Sequence, residues 1–254
     1  MLSIYRRVIA AAARSSLRAW PAALSLVVYA VVLVLAIQLA GSLGILGGIL
    51  LGLVAAGCWS SYLELVSQAV AGGKIRVQWD ELKRTFGARF WDVISVMFAF
   101  FIISFLTGPL RTGENGVALS AILGIATAFF FNAVPELLYQ GSVRSFALLL
   151  ASARFMLAHP VVWLLPNIAF AALALAATGG LRFHRPAELM IAFGSIFSSP
   201  TGVAGLFTGL PLWSLPLALF ALHFAMIFRG LLFRELTTGA GNARLLAFQA
   251  ANRR

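Results

Sequence analysis

Few side chains in this sequence could perform chemistry inside an apolar environment. His223 is the one titratable group within a long apolar run, where an imidazole could transfer a proton or bind a ligand. No second histidine or acid shares its helix face, so we expect a hydrogen bond to a neighbouring helix instead. Ser195 and Ser199 have no histidine or lysine nearby to activate them. No residue spacing matches a zinc site or a nucleotide-binding loop, so the sequence predicts no enzyme, no metal and no cofactor.

The carboxylates all fall at or beyond the ends of the apolar runs. They are Glu64, Asp80, Glu81, Asp92, Glu114, Glu136, Glu188 and Glu235. Because proton relays and ion pumps place acids within the membrane, this arrangement disfavours both. Four other polar side chains do lie inside the runs and could line a small cavity: Gln38, Asn132, Asn167 and His223. The alternative is that they hydrogen-bond between helices.

The composition is that of an integral membrane protein. The 254 residues are 61% hydrophobic and only 11% charged, whereas soluble domains carry about 45–50% apolar and about 25% charged residues. This excludes an ordinary soluble enzyme and a disordered chain. The net charge of +11 is attributed to the cytoplasmic loops of a membrane protein rather than to nucleic-acid binding.

Six apolar runs approach the length of about 20 residues that a helix needs to cross a bilayer. They are Pro21–Ala40, Leu43–Leu63, Trp91–Leu110, Val117–Tyr139, Pro160–Ala177 and Pro211–Phe228. With the N terminus inside, 16 of the 19 basic residues are cytoplasmic, and only Arg111, Arg182 and Arg185 are external. This predicts a bacterial inner-membrane protein with both termini in the cytoplasm. A seventh crossing within the outer loop, 179–210, would place the C-terminal arginines on the external side. The segment 189–207 is therefore expected to be re-entrant or interfacial.

A threefold repeat divides the chain into 1–73, 74–141 and 142–241, followed by a cytoplasmic tail, 242–254. Each copy is a hairpin whose returning span ends near a glutamate, followed by a Gly-x-x-Arg turn. The glutamates are Glu64, Glu136 and Glu235, and the arginines of the turns are Arg76, Arg144 and Arg244. Successive copies keep the same orientation. The predicted fold is therefore an all-α membrane protein with six transmembrane helices, arranged as three parallel-repeat hairpins around a pseudo-threefold axis.

A helix lying in the membrane interface is predicted before each hairpin. Leu82, Phe86 and Phe90 recur at every fourth residue with the charges off that stripe, which is typical of such helices. The third copy, 146–157, is more apolar and is expected to pack inside the protein. Four side chains that open the first two hairpins are expected at headgroup depth, near anionic lipids: Trp20, Trp91, Arg18 and Arg89.

The repeated glutamates stand at the C-terminal ends of predicted helices, where the helix dipole favours cations. We therefore predict that each one is compensated by an arginine or by backbone N–H groups of an interfacial helix. The candidate arginines are Arg76, Arg144 and Arg244 in the turns and Arg18, Arg89 and Arg154 before the hairpins. The alternative is a ring of three acids around a central mouth that attracts cations.

Together, six spans, repeated cytoplasmic turns containing Glu and Gly, and amphipathic connecting helices resemble the membrane domain attached to bacterial glycerophosphodiester phosphodiesterases and related stand-alone families. The phosphodiesterase domain is absent from this sequence, so its activity does not carry over. The resemblance implies a non-catalytic inner-membrane subunit, scaffold or lipid-interacting module, with lipids and other membrane proteins as partners and no nucleic acid. The alternative function is a transporter or permease-like protein with a central cavity. A membrane-bound lipid enzyme is a third reading, but it lacks a catalytic constellation.

Overall fold

The computed structural model describes residues 2–73, 87, 89–108, 116–141, 146–177 and 215–238. Every regular element within these ranges is an α-helix. The helices are α1 (Leu2–Arg18), α2 (Trp20–Ser42), α3 (Ile45–Val70), α4 (Phe90–Thr107), α5 (Gly116–Phe130), α6 (Val134–Gln140), α7 (Phe146–Ala158), α8 (Pro160–Ala177) and α9 (Leu215–Thr237). The predicted interfacial stripe before Phe90, the turn arginines Arg76, Arg144 and Arg244, the outer loop 179–210 and the tail lie outside the described residues.

The all-α membrane class is confirmed. Over the described ranges, five helical segments are long and apolar enough to cross a membrane, and a sixth is added if α7 and α8 form one broken span. The five are Trp20–Ser42, Ile45–Val70, Phe90–Thr107, Ala118–Gln140 and Pro216–Thr237. Large apolar side chains such as Val28, Phe101 and Phe105 remain exposed on the outside of the bundle. Exposed apolar surface of this kind is expected where a protein contacts lipid.

Helices α3 and α9 form the centre of the bundle. α3 contacts α1, α2, α4, α6 and α9, while α9 also contacts α1, α2, α6 and α8. The largest fully buried side chains include Trp163 on α8, Tyr62 and Leu63 on α3, and Phe228 on α9. The apolar interior is therefore concentrated around these two helices, and α2 and α4 lie at the periphery with most of their surface exposed.

The prediction that the second span ends at Leu63 is wrong, because α3 continues to Val70. Val66 and Val70 are buried and extend the packed face of the helix beyond Glu64. The chain turns at Gly72, whose φ of 82° is in the left-handed region that glycine adopts without strain. Glu64 consequently lies more than one turn before the end of its helix.

The predicted fourth span, Val117–Tyr139, is not one continuous helix. It breaks between α5 and α6, and Pro135 lies in the first turn of α6, where proline is tolerated. Proline has no N–H to donate to the Phe131 carbonyl, which accepts from the Val134 amide instead at 3.2 Å. Glu136 is thereby placed in the first turn of α6. The argument from an unfavourable helix dipole does not apply to it.

Helix α8 has the bounds predicted for the fifth span, whereas α9 continues past the predicted end of the sixth span at Phe228. The extension runs through Arg229, which the sequence interpretation placed outside the membrane. Among the three repeated glutamates only Glu235 lies close to the end of its helix. α3 runs on past Glu64 to Val70, and Glu136 lies in the first turn of α6, so neither glutamate stands at the C-terminal end of its helix.

Candidate functional site

The three repeated glutamates mark one end of the bundle, which we call the charged end. Arg89, immediately before α4, hydrogen-bonds both Glu64 on α3 and the Leu138 carbonyl on α6. Arg234, near the end of α9, donates to the Val70 carbonyl at 2.9 Å. The C-terminal ends of α3, α6 and α9 therefore meet at the same end as the start of α4.

The most buried charges of this end are Glu136 on α6 and Arg229 on α9. Arg229 Nε and Nη2 donate to Glu136 Oε1 and Oε2 at 2.7 and 2.9 Å. Glu136 is fully buried, and 7% of Arg229 is exposed. Such a two-pronged pair is among the strongest charge-assisted geometries. Burying either charge alone would be costly, so each requires the other.

Arg229 has two further neighbours that fix the guanidinium plane. Its Nη2 also donates to the backbone carbonyl of Asn132. Its central carbon lies 5.3 Å from the centre of the Trp163 ring, within the range of cation–π attraction. The break between α5 and α6 frees the Asn132 carbonyl, so the helix break and the ion pair are structurally connected.

The side chains of Asn132 and Asn167, predicted as cavity candidates, are joined through Trp163. Trp163 Nε1 donates to Asn132 Oδ1 at 2.8 Å. Asn167 Nδ2 donates to the Trp163 backbone carbonyl at 2.7 Å. Both asparagines are buried, whereas Gln38 is exposed on α2. The Trp163–Asn132 bond connects α8 to the break between α5 and α6, whereas the Asn167 bond lies within α8. Gln38 is apart from this network.

His223 is fully buried on α9 and contacts two other parts of the fold. Its Nδ1 lies 3.4 Å from the Tyr62 hydroxyl on α3. The carbonyl of Ala19, at the junction of α1 and α2, also faces the imidazole. The ring thus bridges helices at a separate position from the Glu136–Arg229 pair.

The Glu64–Arg89 pair is partly buried. Arg89 Nε donates to Glu64 Oε2 at 2.9 Å, and the two side chains are 23% and 22% exposed. The Arg89 backbone amide donates to the Ser60 hydroxyl at 3.1 Å. Arg89 is one of the arginines that the sequence proposes before the hairpins. The other two, Arg18 and Arg154, are exposed.

The Glu235–Arg7 pair lies at the surface. Arg7 Nη2 on α1 is 3.4 Å from Glu235 Oε1 on α9, and the side chains are 55% and 28% exposed. A solvated pair of this kind contributes little to stability. The pair joins the first half of α1 to the C-terminal end of α9. The expected headgroup residues Trp20 and Trp91 are also exposed, at the starts of α2 and α4.

Backbone carbonyls released by helix ends and breaks receive donors from other helices. The Tyr139 carbonyl accepts from the Ser67 hydroxyl at 3.2 Å, and the Phe130 carbonyl accepts from the Ser152 hydroxyl at 2.8 Å. Arg89, Arg229 and Arg234 likewise donate to backbone carbonyls of other helices or of the break. Unsatisfied carbonyls are expensive in an apolar environment, so the donors allow the spans to end or break inside the bundle.

Chemically, this arrangement holds helices together. Each of the three repeated glutamates has an arginine partner from a different part of the chain. Arg89 and Arg229 also donate to backbone carbonyls. Within the described ranges, no group of three His, Cys, Asp or Glu side chains could hold a metal ion. The turn arginines Arg76, Arg144 and Arg244, predicted as alternative partners, lie outside those ranges.

The chain matches no protein-family model, no curated protein and no solved structure. Its function is therefore inferred from its own residues and contacts.

The sequence does not predict the pairing of Arg229, the most buried arginine of the charged end. The sequence assigns it to the cytoplasmic basic residues because it follows the apolar run that ends at Phe228. The signal that could have found it is the apolar sequence on its other side, Gly230–Phe233. An arginine with apolar residues on both sides is a candidate for burial with an acidic partner.

Proposed function

We propose that this chain is a non-catalytic polytopic protein of a bacterial inner membrane, serving as a membrane-embedded scaffold or subunit. The observation that carries the proposal is the buried pair of Glu136 and Arg229. Both carboxylate oxygens accept from the guanidinium, and the pair is enclosed by Asn132 and Trp163. An acid in an ion pathway has to exchange its partner for a passing ion or proton. The geometry here favours a fixed structural pair.

The ion pairs also support the architecture of three hairpins. Each glutamate is bound by an arginine that belongs to the next hairpin in cyclic order. The pairs are Glu64 with Arg89, Glu136 with Arg229, and Glu235 with Arg7. In the same sense, α4 packs on α3, α7 packs on α5 and α6, and α1 packs on α9. These contacts join the first hairpin to the second, the second to the third and the third to the first. A closed ring of three hairpins accounts for this order.

The orientation in the membrane follows from the basic residues of the sequence. The segments next to the charged end are rich in arginine and lysine, and the positive-inside rule assigns such segments to the cytoplasmic side. The bacterial inner membrane is supported by this bias and by the resemblance to the membrane domain of glycerophosphodiester phosphodiesterases. The partners of such a protein are lipids and other membrane proteins that contact its exposed apolar helices.

Transport through the bundle is the second candidate function. It is favoured by the broken span at α5 and α6, because broken helices often frame the binding sites of transporters. Here the carbonyls of Phe130 and Asn132, which the break frees, already accept hydrogen bonds from Ser152 and Arg229. The break therefore serves helix packing in the scaffold proposal.

Reconstitution into liposomes separates the two functions. Purified protein would be placed in vesicles loaded with a pH-sensitive dye and challenged with gradients of protons, Na⁺ and K⁺, with and without ionophore. For a scaffold, the dye traces match those of empty vesicles, and Glu136→Gln lowers the melting temperature in detergent. A flux that Glu136→Gln abolishes at an unchanged melting temperature would establish transport instead.

A further inference from the structure

Helix α1 packs against α9 through one face only. Ile4, Val8, Ala12 and Ser16 recur at every fourth residue and are all buried. The Tyr5 hydroxyl adds a hydrogen bond of 2.8 Å to the backbone at the start of α8. α1 is therefore fixed to the charged end of the bundle, with its opposite side free of contacts to the described helices.

The free side of α1 has an apolar edge beside a cationic edge. Leu2 and Leu17 are strongly exposed, at 85% and 65%. At about 100° per residue they fall on one edge of the helix together with Ile9 and Arg6, while Arg14 and Arg18 fall on the adjacent edge. An apolar edge next to a row of arginines is the pattern of a helix that lies at a membrane surface, with its apolar edge among the acyl chains.

The positive charge of α1 is largely uncompensated within the described chain. The helix contains four arginines and no acid. Arg7 pairs with Glu235. Arg6, Arg14 and Arg18 are exposed, and within the described ranges no ion pair involves them. Arg14 Nε donates to the Ala10 carbonyl of the same helix at 3.2 Å. The three guanidinium groups are otherwise exposed, and their positive charge complements an anionic surface.

Helix α7 repeats this placement at the same end. It meets α8 at an angle of 97°, so if α8 crosses the membrane then α7 lies along the membrane plane. Its exposed residues include Phe146, Leu150 and Leu157 together with Arg154. Phe155, on its buried face, contacts Phe233 near the end of α9 with ring centres 4.8 Å apart. Helix α7 thus also carries exposed apolar side chains beside an exposed arginine.

We propose that Arg6, Arg14 and Arg18 bind the phosphate headgroups of anionic phospholipids in the leaflet at the charged end. This proposal rests on the proposed membrane location of the protein and specifies the class of lipid that it binds. Each basic residue near an anionic membrane surface contributes about 1 kcal/mol, which corresponds to about a fivefold preference. Because guanidinium groups bind phosphate with two parallel hydrogen bonds, the preference is for the charged headgroup rather than for the acyl chains.

The test is lipid retention by the full chain in native mass spectrometry. The protein would be equilibrated in mixed micelles with phosphatidylglycerol and phosphatidylcholine of identical acyl chains. The variant is Arg6→Gln/Arg14→Gln/Arg18→Gln. The matched control is Arg111→Gln/Arg182→Gln/Arg185→Gln, which removes the same net charge from segments that the sequence assigns to the other side. Melting temperatures establish that both variants are folded.

The wild-type protein and the control are expected to retain phosphatidylglycerol preferentially, and the α1 variant is expected to lose this preference by roughly tenfold or more. The preference also falls as ionic strength rises. Equal retention of the two lipids by the wild type, or equal losses in the variant and the control, would overturn the proposal. Displacement of phosphatidylglycerol by inorganic phosphate would likewise show that the ligand is free phosphate. The flux assay is independent of each of these outcomes, so the scaffold function can stand or fall separately.

Discussion

The Tyr5 hydroxyl donates a hydrogen bond of 2.8 Å to the Val162 carbonyl. In a regular helix that carbonyl would accept from the amide of residue 166, but Pro166 has no N–H to donate. Burial raises the pKa of the Tyr5 phenol, so the hydroxyl stays protonated and remains a donor at neutral pH. A proline in one helix is thereby compensated by a side chain of another.

Removal of this hydroxyl should destabilise the protein only while the proline is present. Tyr5→Phe is expected to lower the free energy of unfolding by about 1 kcal/mol, because it leaves a backbone carbonyl without a donor. In a Pro166→Ala background the loss should be smaller, since the new backbone amide at position 166 can bond the Val162 carbonyl. Thermal unfolding of the four proteins in detergent measures both losses, and equal losses in the two backgrounds would refute the compensation.

Gly230 is a point of close contact between α9 and the neighbouring helices α3 and α6. A Cβ atom at this position would meet the Tyr139 hydroxyl and a methyl group of Val70. Gly230→Ala is expected to lower the melting temperature by several degrees, because α9 would have to move away from α3 and α6. Gly48→Ala is the matched control, since a Cβ atom there has nothing within 4 Å. Similar melting temperatures for the two variants would contradict the close packing of α9.

The two glycines also show that spacing in the sequence does not identify a closely packed glycine. Gly44, Gly48 and Gly52 recur at every fourth residue, but a Cβ atom at Gly48 would meet nothing. Gly230 has no glycine one turn away, yet it packs closely against two other helices. Spacing reports which residues share a helix face, but not which face meets another helix. That information depends on the tertiary arrangement and on neighbours that are distant in sequence, such as Tyr139.

The degree of burial should rank the ion pairs by their effect on stability. Glu235→Gln breaks a solvated pair and is expected to change the free energy of unfolding by about 0–1 kcal/mol. Glu64→Gln removes a charged acceptor from Arg89, whose side chain is only 23% exposed, and is expected to cost about 1–3 kcal/mol. Chemical or thermal unfolding in one detergent gives both values. A larger loss for Glu235→Gln would show that the surface contact matters more than its exposure indicates.

Membrane orientation is tested by single cysteines in a Cys58→Ser background. Gln78→Cys and Leu245→Cys are expected to react only after the membrane is permeabilised, whereas His184→Cys should react in intact cells. These results follow from the excess of arginine and lysine in the segments assigned to the cytoplasm. Labelling of Leu245→Cys in intact cells would place the C-terminal tail outside and revive a seventh crossing at 189–207.

Local composition was sufficient to predict the class of fold and most of the helices. The apolar runs predict the bounds of α2 and α8 almost to the residue. A helix exposed to lipid needs apolar residues along its length, so the length of the apolar run matches the length of the helix. The same rule fails at the end of α3 and the end of α9. There the helices continue through Glu64 and Arg229, since polar residues at these positions are paired inside the bundle.

The partners of the glutamates were harder to predict. Arg89 was among the expected residues because it directly precedes α4. Arg229 and Arg7 were not, since their acids are distant along the chain, at Glu136 and Glu235. A single sequence gives charge and spacing, but which opposite charge meets which acid is decided by the packing of α1 and α9.

The central claim is that Glu136 and Arg229 form a structural pair, and a double-mutant cycle tests it most directly. Glu136→Leu and Arg229→Met would be made singly and together, with Glu235→Leu and Arg7→Met as the control cycle at the surface. Each buried single variant leaves one uncompensated charge and should lose about 3–5 kcal/mol of unfolding free energy. The buried double variant should be more stable than either single one, and the control cycle should show almost no coupling. Additive losses at Glu136 and Arg229, or single variants as stable as the wild type, would contradict the account.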